Sequence, residues 1–160
     1  MPESRPDNPG VIAPPPLIAL GFIGLGLAAD WVFPAPFVSP LLASPTHYWI
    51  GGFLFALGVA VVLLAIGQFA KAGTSFRTER PSTALLADGL YRYSRNPIYI
   101  ALSAAYLGVA IATDSLWVLG FIIPFLALIR QGVIAREERY LEAKFGDSYR
   151  DYTSRVRRWL

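Results

Sequence analysis

Four apolar stretches, at about 17–33, 48–70, 98–113 and 115–135, divide this chain, and none holds a Lys or Arg except Arg130 near the end of the last. A helix needs about 20 apolar residues to cross the ~30 Å hydrocarbon core of a bilayer. At 1.5 Å per residue the first stretch reaches about 25 Å, just enough, and the second about 34 Å. The pattern therefore predicts an all-α integral membrane protein with four transmembrane helices. Asp114 and Ser115 suit the turn and the N-cap between the third and fourth helices, which would form a hairpin, and Pro124 would kink the fourth. Beyond residue 135 the pattern changes to an amphipathic tail over 136–160. There Leu141, Phe145, Tyr149, Tyr152 and Val156 recur at helical steps, with Gly146 placed to break the helix midway.

The segments between the apolar stretches differ in kind. The first sixteen residues form a polar, proline-rich arm ending in Pro14, Pro15 and Pro16, and the rest of the chain, 17–160, reads as one domain. A cleaved signal peptide competes for the first stretch, because Ala28 and Ala29 follow an apolar run, but the prolines ahead and the lack of a clear basic leader argue against it. Gly21, Gly24, Gly26 and Ala28 would let a neighbouring helix approach closely, within a monomer or across a homodimer. The link 34–47 carries Pro34, Pro36, Pro40 and Pro45 and should be stiff. The segment 71–97 holds 27 residues, too many for a simple connection, and its Leu85, Leu86, Leu90, Tyr91 and Tyr93 would fold it back on the bundle. Asp88 and Gly89 mark a turn before that cluster.

Charge adds orientation. All 14 Lys and Arg residues fall at Arg5, in the 71–97 segment, or from Arg130 onward, so one side of the predicted bundle receives them all. Cytoplasmic loops collect positive charge, which puts both termini and the long loop in the cytosol, here of a bacterial inner membrane. The chain is 54% hydrophobic and 16% charged with a mean hydropathy of +0.46, against about a quarter charged in soluble domains, so a soluble bundle fits poorly. The net charge of +3 does not require nucleic acid, since the basic residues interleave with apolar helix ends. Without cysteine there are no disulfides, thiol nucleophiles or thiolate metal sites, and the lone His47, beside Tyr48 and Trp49, reads as an interfacial side chain. Asp30 and Asp114 lie at the outer ends and no carboxylate lies mid-span, unlike a proton-coupled transporter. Arg130 either snorkels to the inner boundary or binds a ligand.

The inner loop and tail carry a more specific pattern. Gly89 to Tyr91, then Arg95-Asn96-Pro97-Ile98-Tyr99, then Glu137-Glu138-Arg139-Tyr140-Leu141, then Phe145-Gly146 through Tyr149, Tyr152, Arg155 and Val156 stand in order. This resembles the isoprenylcysteine carboxyl methyltransferases and their phospholipid methyltransferase relatives. Their pattern reads Gly-x-Tyr/Phe, Arg-His-Pro-x-Tyr, Glu-Glu-x-x-Leu and Phe-Gly-x-x-Tyr-x-x-Tyr-x-x-Arg-Val. The likeness covers about the last ninety residues and is specific for the family but not for the substrate. Asn96 replaces the family His, keeping a neutral donor and acceptor while losing a titratable ring.

The resemblance implies S-adenosylmethionine as methyl donor, with S-adenosylhomocysteine as product, and a hydrophobic or lipid-like acceptor arriving from the bilayer. Transfer from a sulfonium is an in-line displacement that needs no metal and gains from positioning in a water-poor site. A zwitterionic amino acid joined to a nucleoside calls for acidic, basic and aromatic contacts together. Glu137 and Glu138 are the candidates for ribose or ammonium, while Tyr91, Tyr99 and the turn of Arg95, Asn96 and Pro97 would shape the adenosine and carboxylate pocket. Arg155 would orient an anionic acceptor, so Arg95, Glu138 and Arg155 are the candidate catalytic residues. A membrane reductase using NADPH and a non-catalytic lipid-binding or small transport protein remain the alternatives. All of this requires the segment before the third crossing and the tail after the fourth to meet at the inner boundary.

Overall fold

A computed structural model of the protein describes residues 7–41, 45–74 and 81–160. Arg5, Arg77 and Arg80 of the basic set, with part of the arm, of the link 34–47 and of the long loop, lie outside the described residues. Every regular element among those described is helical. Helix α1 (Pro15–Val32) begins two residues before the expected start, because Pro15 and Pro16 occupy the first turn, where their missing N–H groups have no intrahelical partner to lose. α2 (Thr46–Lys71) and α3 (Pro97–Ala112) lie within two residues of their predicted bounds.

The last apolar stretch is one helical run, Leu116–Phe145, but an uneven one. It comprises α4 (Leu116–Gly120), α5 (Ile122–Leu128), a π-helical turn (Ile129–Ile134) and α6 (Ala135–Phe145). The N-cap is Ser115, whose hydroxyl accepts from the Val118 N–H. Pro124 offers no N–H to the Gly120 carbonyl, and the regular helix is interrupted at that level. Gly146, at φ 52°, ends α6, and α7 (Asp147–Arg155) starts afresh, so the expected break is present. The tail is thus a continuation of the last apolar helix for a further 11 residues, then a second short helix.

Three runs, Pro15–Val32, Thr46–Lys71 and Leu116–Phe145, are long and apolar enough to cross a membrane, while α3 is apolar but only 16 residues long. α3 packs along α2 in the broadest helix contact of the molecule. A Cβ added to Gly51 would come within 2.5 Å of the Gly108 carbonyl, and one on Gly58 within 2.5 Å of the Ala101 carbonyl. Backbones meet directly there, the packing that small residues permit in lipid. Of the small residues in α1, Gly26 packs on Val118, whereas Gly21 and Gly24 face open space. Behind these contacts Tyr106 stacks on Phe125, with ring centroids 5.0 Å apart, and donates its O–H to the Val118 carbonyl at 2.9 Å.

The outer surface is apolar: Trp31 is 88% exposed, Trp49 76% and Phe53 71%. Water would not tolerate so continuous an apolar surface, and acyl chains would. One end of the bundle is closed by Asp114, whose carboxylate accepts from the N–H groups of Phe37, Val38 and Ser39, and by the Trp117 indole, which donates to the Phe33 carbonyl. Burial alone would raise the Asp114 carboxyl, but these bonds and the Ser39 hydroxyl outweigh it and hold the group at about 2. The opposite end carries the described Lys and Arg residues, with Arg130 just short of it, and there the arm, the 81–97 segment, α6 and α7 converge.

Candidate active site

The basic end is organised by the extended C-terminal residues. Past α7 the backbone of Val156 is extended, so the chain reverses and runs beside the turn that precedes α3. The Arg95 N–H donates to the Arg157 carbonyl at 2.9 Å, and the Asn96 side-chain amide and the Ser94 hydroxyl both donate to the Arg158 carbonyl, at 2.9 and 3.3 Å. Tyr152 donates its O–H to the Tyr91 carbonyl at 2.7 Å, from a buried position on α7. The 3-10 turn Gly89–Arg92, set up by Gly89 at φ 60°, presents Tyr91 to this contact. The loop and the tail therefore meet, as the reading of the inner loop requires.

Charged groups at this junction are interlocked. Glu138 accepts from Arg95 at 3.2 Å and from both Nε and Nη2 of Arg158, at 3.0 and 2.6 Å. One carboxylate thus holds two guanidiniums in fixed planes. One helical step away, Glu137 accepts from the Tyr99 hydroxyl at 2.7 Å. Arg95 keeps its Nε buried without a hydrogen-bond partner among the described residues.

These residues border an open-mouthed pocket whose enclosed part measures about 100 Å³. Tyr91, Tyr99, Tyr149 and Tyr152 supply aromatic and hydroxyl surface, Arg95, Glu137 and Glu138 the charge, and Leu85, Leu86 and Leu141 apolar wall. The N-terminal arm closes one side, since Pro9 lines the pocket. Asp7 pairs with Lys144 at 2.7 Å and accepts from Tyr140 at 2.9 Å, Arg136 donates to the Gly10 carbonyl, and Ile12 bonds to Gly132. Hydrogen bonding to Lys144 and Tyr140 lowers the Asp7 carboxyl, and the same contacts raise Lys144.

Of the residues singled out from sequence, Tyr91, Arg95, Asn96, Tyr99, Glu137 and Glu138 border this pocket together, and Pro97 starts α3 directly behind them. Asn96 is buried and uses its amide as a donor to the tail, the capacity retained when a His is replaced by Asn. Arg155 lies elsewhere: it is exposed and pairs with Asp151 on its own helix at 2.6 Å. Besides Arg95, the guanidinium on Glu138 is that of Arg158, which spacing does not single out because it sits past the end of α7 in extended chain. The sequence likewise does not assign Tyr149, Tyr152 or Pro9 to the pocket; the two tyrosines are legible in the amphipathic face and in the tail motif, without a pocket role.

The fold and pocket define an integral membrane protein of helical type with a mixed acidic, basic and aromatic cavity at its basic end. Residues 46–148 match the phospholipid methyltransferase family, so the chain belongs to that family of membrane methyltransferases. It is 62% identical over 47 residues to an uncharacterised protein of Haemophilus influenzae, a match covering 29% of this chain and 73% of that one. It is also 30% identical over 109 residues to the cobalt-zinc-cadmium resistance protein CzcN of Cupriavidus metallidurans, covering 68% of this chain and 49% of that relative, so this chain spans about half of CzcN.

Proposed function

We propose that this protein transfers a methyl group from S-adenosylmethionine to a hydrophobic or lipid-like acceptor at the cytosolic face of a bacterial inner membrane. The observation that carries this reading is the junction of the Arg95 turn with Glu138 and Arg158 above a tyrosine-lined pocket. In it, residues 17–160 form a single membrane domain behind the arm. α3 serves as a fourth crossing, its short length offset by the close packing on α2. Both termini are then cytosolic, following the basic end.

The residues present suit the donor. Its carboxylate needs a cation, and Arg95 holds a buried donor without a partner. Its ammonium and ribose hydroxyls need acceptors, which Glu137 and Glu138 supply. Tyr91, Tyr149 and Tyr152 offer faces on which an adenine ring can lie. When bound, the donor supplies a sulfonium methyl group that a nucleophile takes by in-line displacement. The chain's own part is to bind, orient and dehydrate: Arg158 and Arg95 fix Glu138, Tyr99 fixes Glu137, and Leu85, Leu86 and Leu141 limit water. Arg155, expected to orient an anionic acceptor, keeps at most a steering role from the surface.

The test is ligand-dependent stability of the purified protein in detergent. A ligand at 100 times its Kd stabilises the native state by about 2.7 kcal/mol, a shift of several degrees in Tm for a chain of this size. S-adenosylmethionine and S-adenosylhomocysteine should each give that shift and NADPH none. A shift with NADPH alone would transfer the reading to a reductase, and no shift with any of the three would remove the catalytic reading. Incubation of membranes with methyl-labelled donor then identifies the acceptor by the lipid or small-molecule fraction that gains label.

A further inference from the structure

A second concavity lies away from the pocket just described, between α3 and the last helical run near the basic end. Ile100, Ser103, Leu126, Ala127, Arg130 and Trp159 line it, and it measures about 820 Å³ counted out to its open side. Its walls are mostly apolar. Neither the Arg130 guanidinium nor the Trp159 indole N–H has a hydrogen-bond partner among the described residues, and no carboxylate lines the groove. The Ser103 hydroxyl is already committed as a donor to the Tyr99 carbonyl at 2.7 Å. Among the described residues the unpaired donors of the groove are therefore the Arg130 guanidinium and the Trp159 indole, both calling for an acceptor-rich, negative group.

Snorkelling explains an arginine at an inner boundary but not a cleft built beside it or a tryptophan brought there from the far end of the chain. Trp159 arrives because Arg158, its neighbour, is held by Glu138 and by the Asn96 amide. The π-helical turn Ile129–Ile134 sets the register of Arg130 within the run.

We propose that this groove is a binding site for an anionic membrane lipid, whose acidic headgroup pairs with Arg130 and Trp159 and whose acyl chain lies along Ile100, Leu126 and Ala127. The site stands independently of methyl transfer. It selects by charge, because a zwitterionic headgroup brings its own cation towards Arg130 and forfeits part of the attraction.

Trp159 provides the readout. Replacing Trp31, Trp49 and Trp117 by Phe leaves it as the sole tryptophan of the full chain. The protein is reconstituted in phosphatidylcholine bilayers containing increasing fractions of either phosphatidylglycerol or phosphatidylcholine brominated near the head of one acyl chain, and Trp159 fluorescence is followed. Brominated phosphatidylglycerol should reach half-maximal quenching at a several-fold lower fraction than brominated phosphatidylcholine. Arg130→Gln should bring the two curves together, while Arg130→Lys, which keeps the charge, should preserve most of the difference. Equal quenching by the two lipids, or a preference unchanged in Arg130→Gln, overturns the proposal. Circular dichroism of each variant identifies loss of fold, and if Arg130→Gln does not fold, the lipid preference of the Arg130-containing protein decides alone.

Discussion

At Glu138 one carboxylate meets two guanidiniums, and this makes the residue structural as well as a candidate for ligand binding. Glu138→Gln keeps the shape but removes the charge that holds Arg95 and Arg158. It should lower unfolding stability by about 1–3 kcal/mol, measured by thermal unfolding in detergent, in addition to weakening donor affinity. Tyr99→Phe separates the two effects. It frees Glu137 of a neutral donor without disturbing the ion pairs, so a drop in donor affinity with little change in Tm is the expected result in a paired titration and melt. At the far end, Asp114 is a pH-dependent tie. Its native carboxyl titrates at about 2, below the ordinary 3.8, so its stabilisation is complete above about pH 4 and is lost as pH falls towards 2. The Tm difference between the native protein and Asp114→Asn should therefore be large at pH 7 and shrink across that window. A difference that persists at pH 2 would show that the charge is not what matters.

Among the elements, the α2 and α3 pair depends on the absence of side chains. Gly58→Val places a Cβ against the Ala101 carbonyl and the Ala105 backbone, neither of which can move alone. Overpacking of this kind costs about 1–3 kcal/mol, and Gly52→Val, with open space around it, is the control expected to leave the melt unchanged. The arm is held differently, by a backbone bond from Ile12 to the π-helical turn, by the Arg136 side chain of α6 on the Gly10 carbonyl, and by an exposed ion pair. Lys144→Ala alone should shift Tm little, as exposed pairs contribute little. Deleting residues 1–9 removes both Asp7 and the pocket-lining Pro9, and should speed dissociation of S-adenosylhomocysteine several-fold in a stopped-flow displacement experiment.

For the molecule as a whole, the asymmetry of charge is the property with the farthest reach. Positions along the chain predict one side for all 14 basic residues, and the described ones gather at one end of the bundle. Because the chain has no cysteine, single replacements report on topology without a background. In intact cells an impermeant maleimide should label Ser39→Cys from outside, while Ser148→Cys should react only after the inner membrane is opened. The reverse pattern would put the pocket on the wrong side for a cytosolic donor.

Sequence alone determined the apolar stretches, the Ser115 cap, the Gly146 break and the cluster of Tyr91, Arg95, Asn96, Tyr99, Glu137 and Glu138, because each rests on local periodicity, backbone preference or a recurring motif. Tertiary structure alone decided that α3 lies against α2 through glycine contacts, and that the arm walls the pocket. It alone brought Arg158 onto Glu138 and left Arg155, the residue expected to orient an acceptor, away from the pocket. Helical spacing places Arg155 on α7, where Asp151 is its nearest anion, but the chain turns extended after Val156 and doubles back, and no local rule records where an extended segment lands. That position is settled by hydrogen bonds to residues some 60 positions earlier in the chain, which form only once the bundle has brought the two segments to the same end.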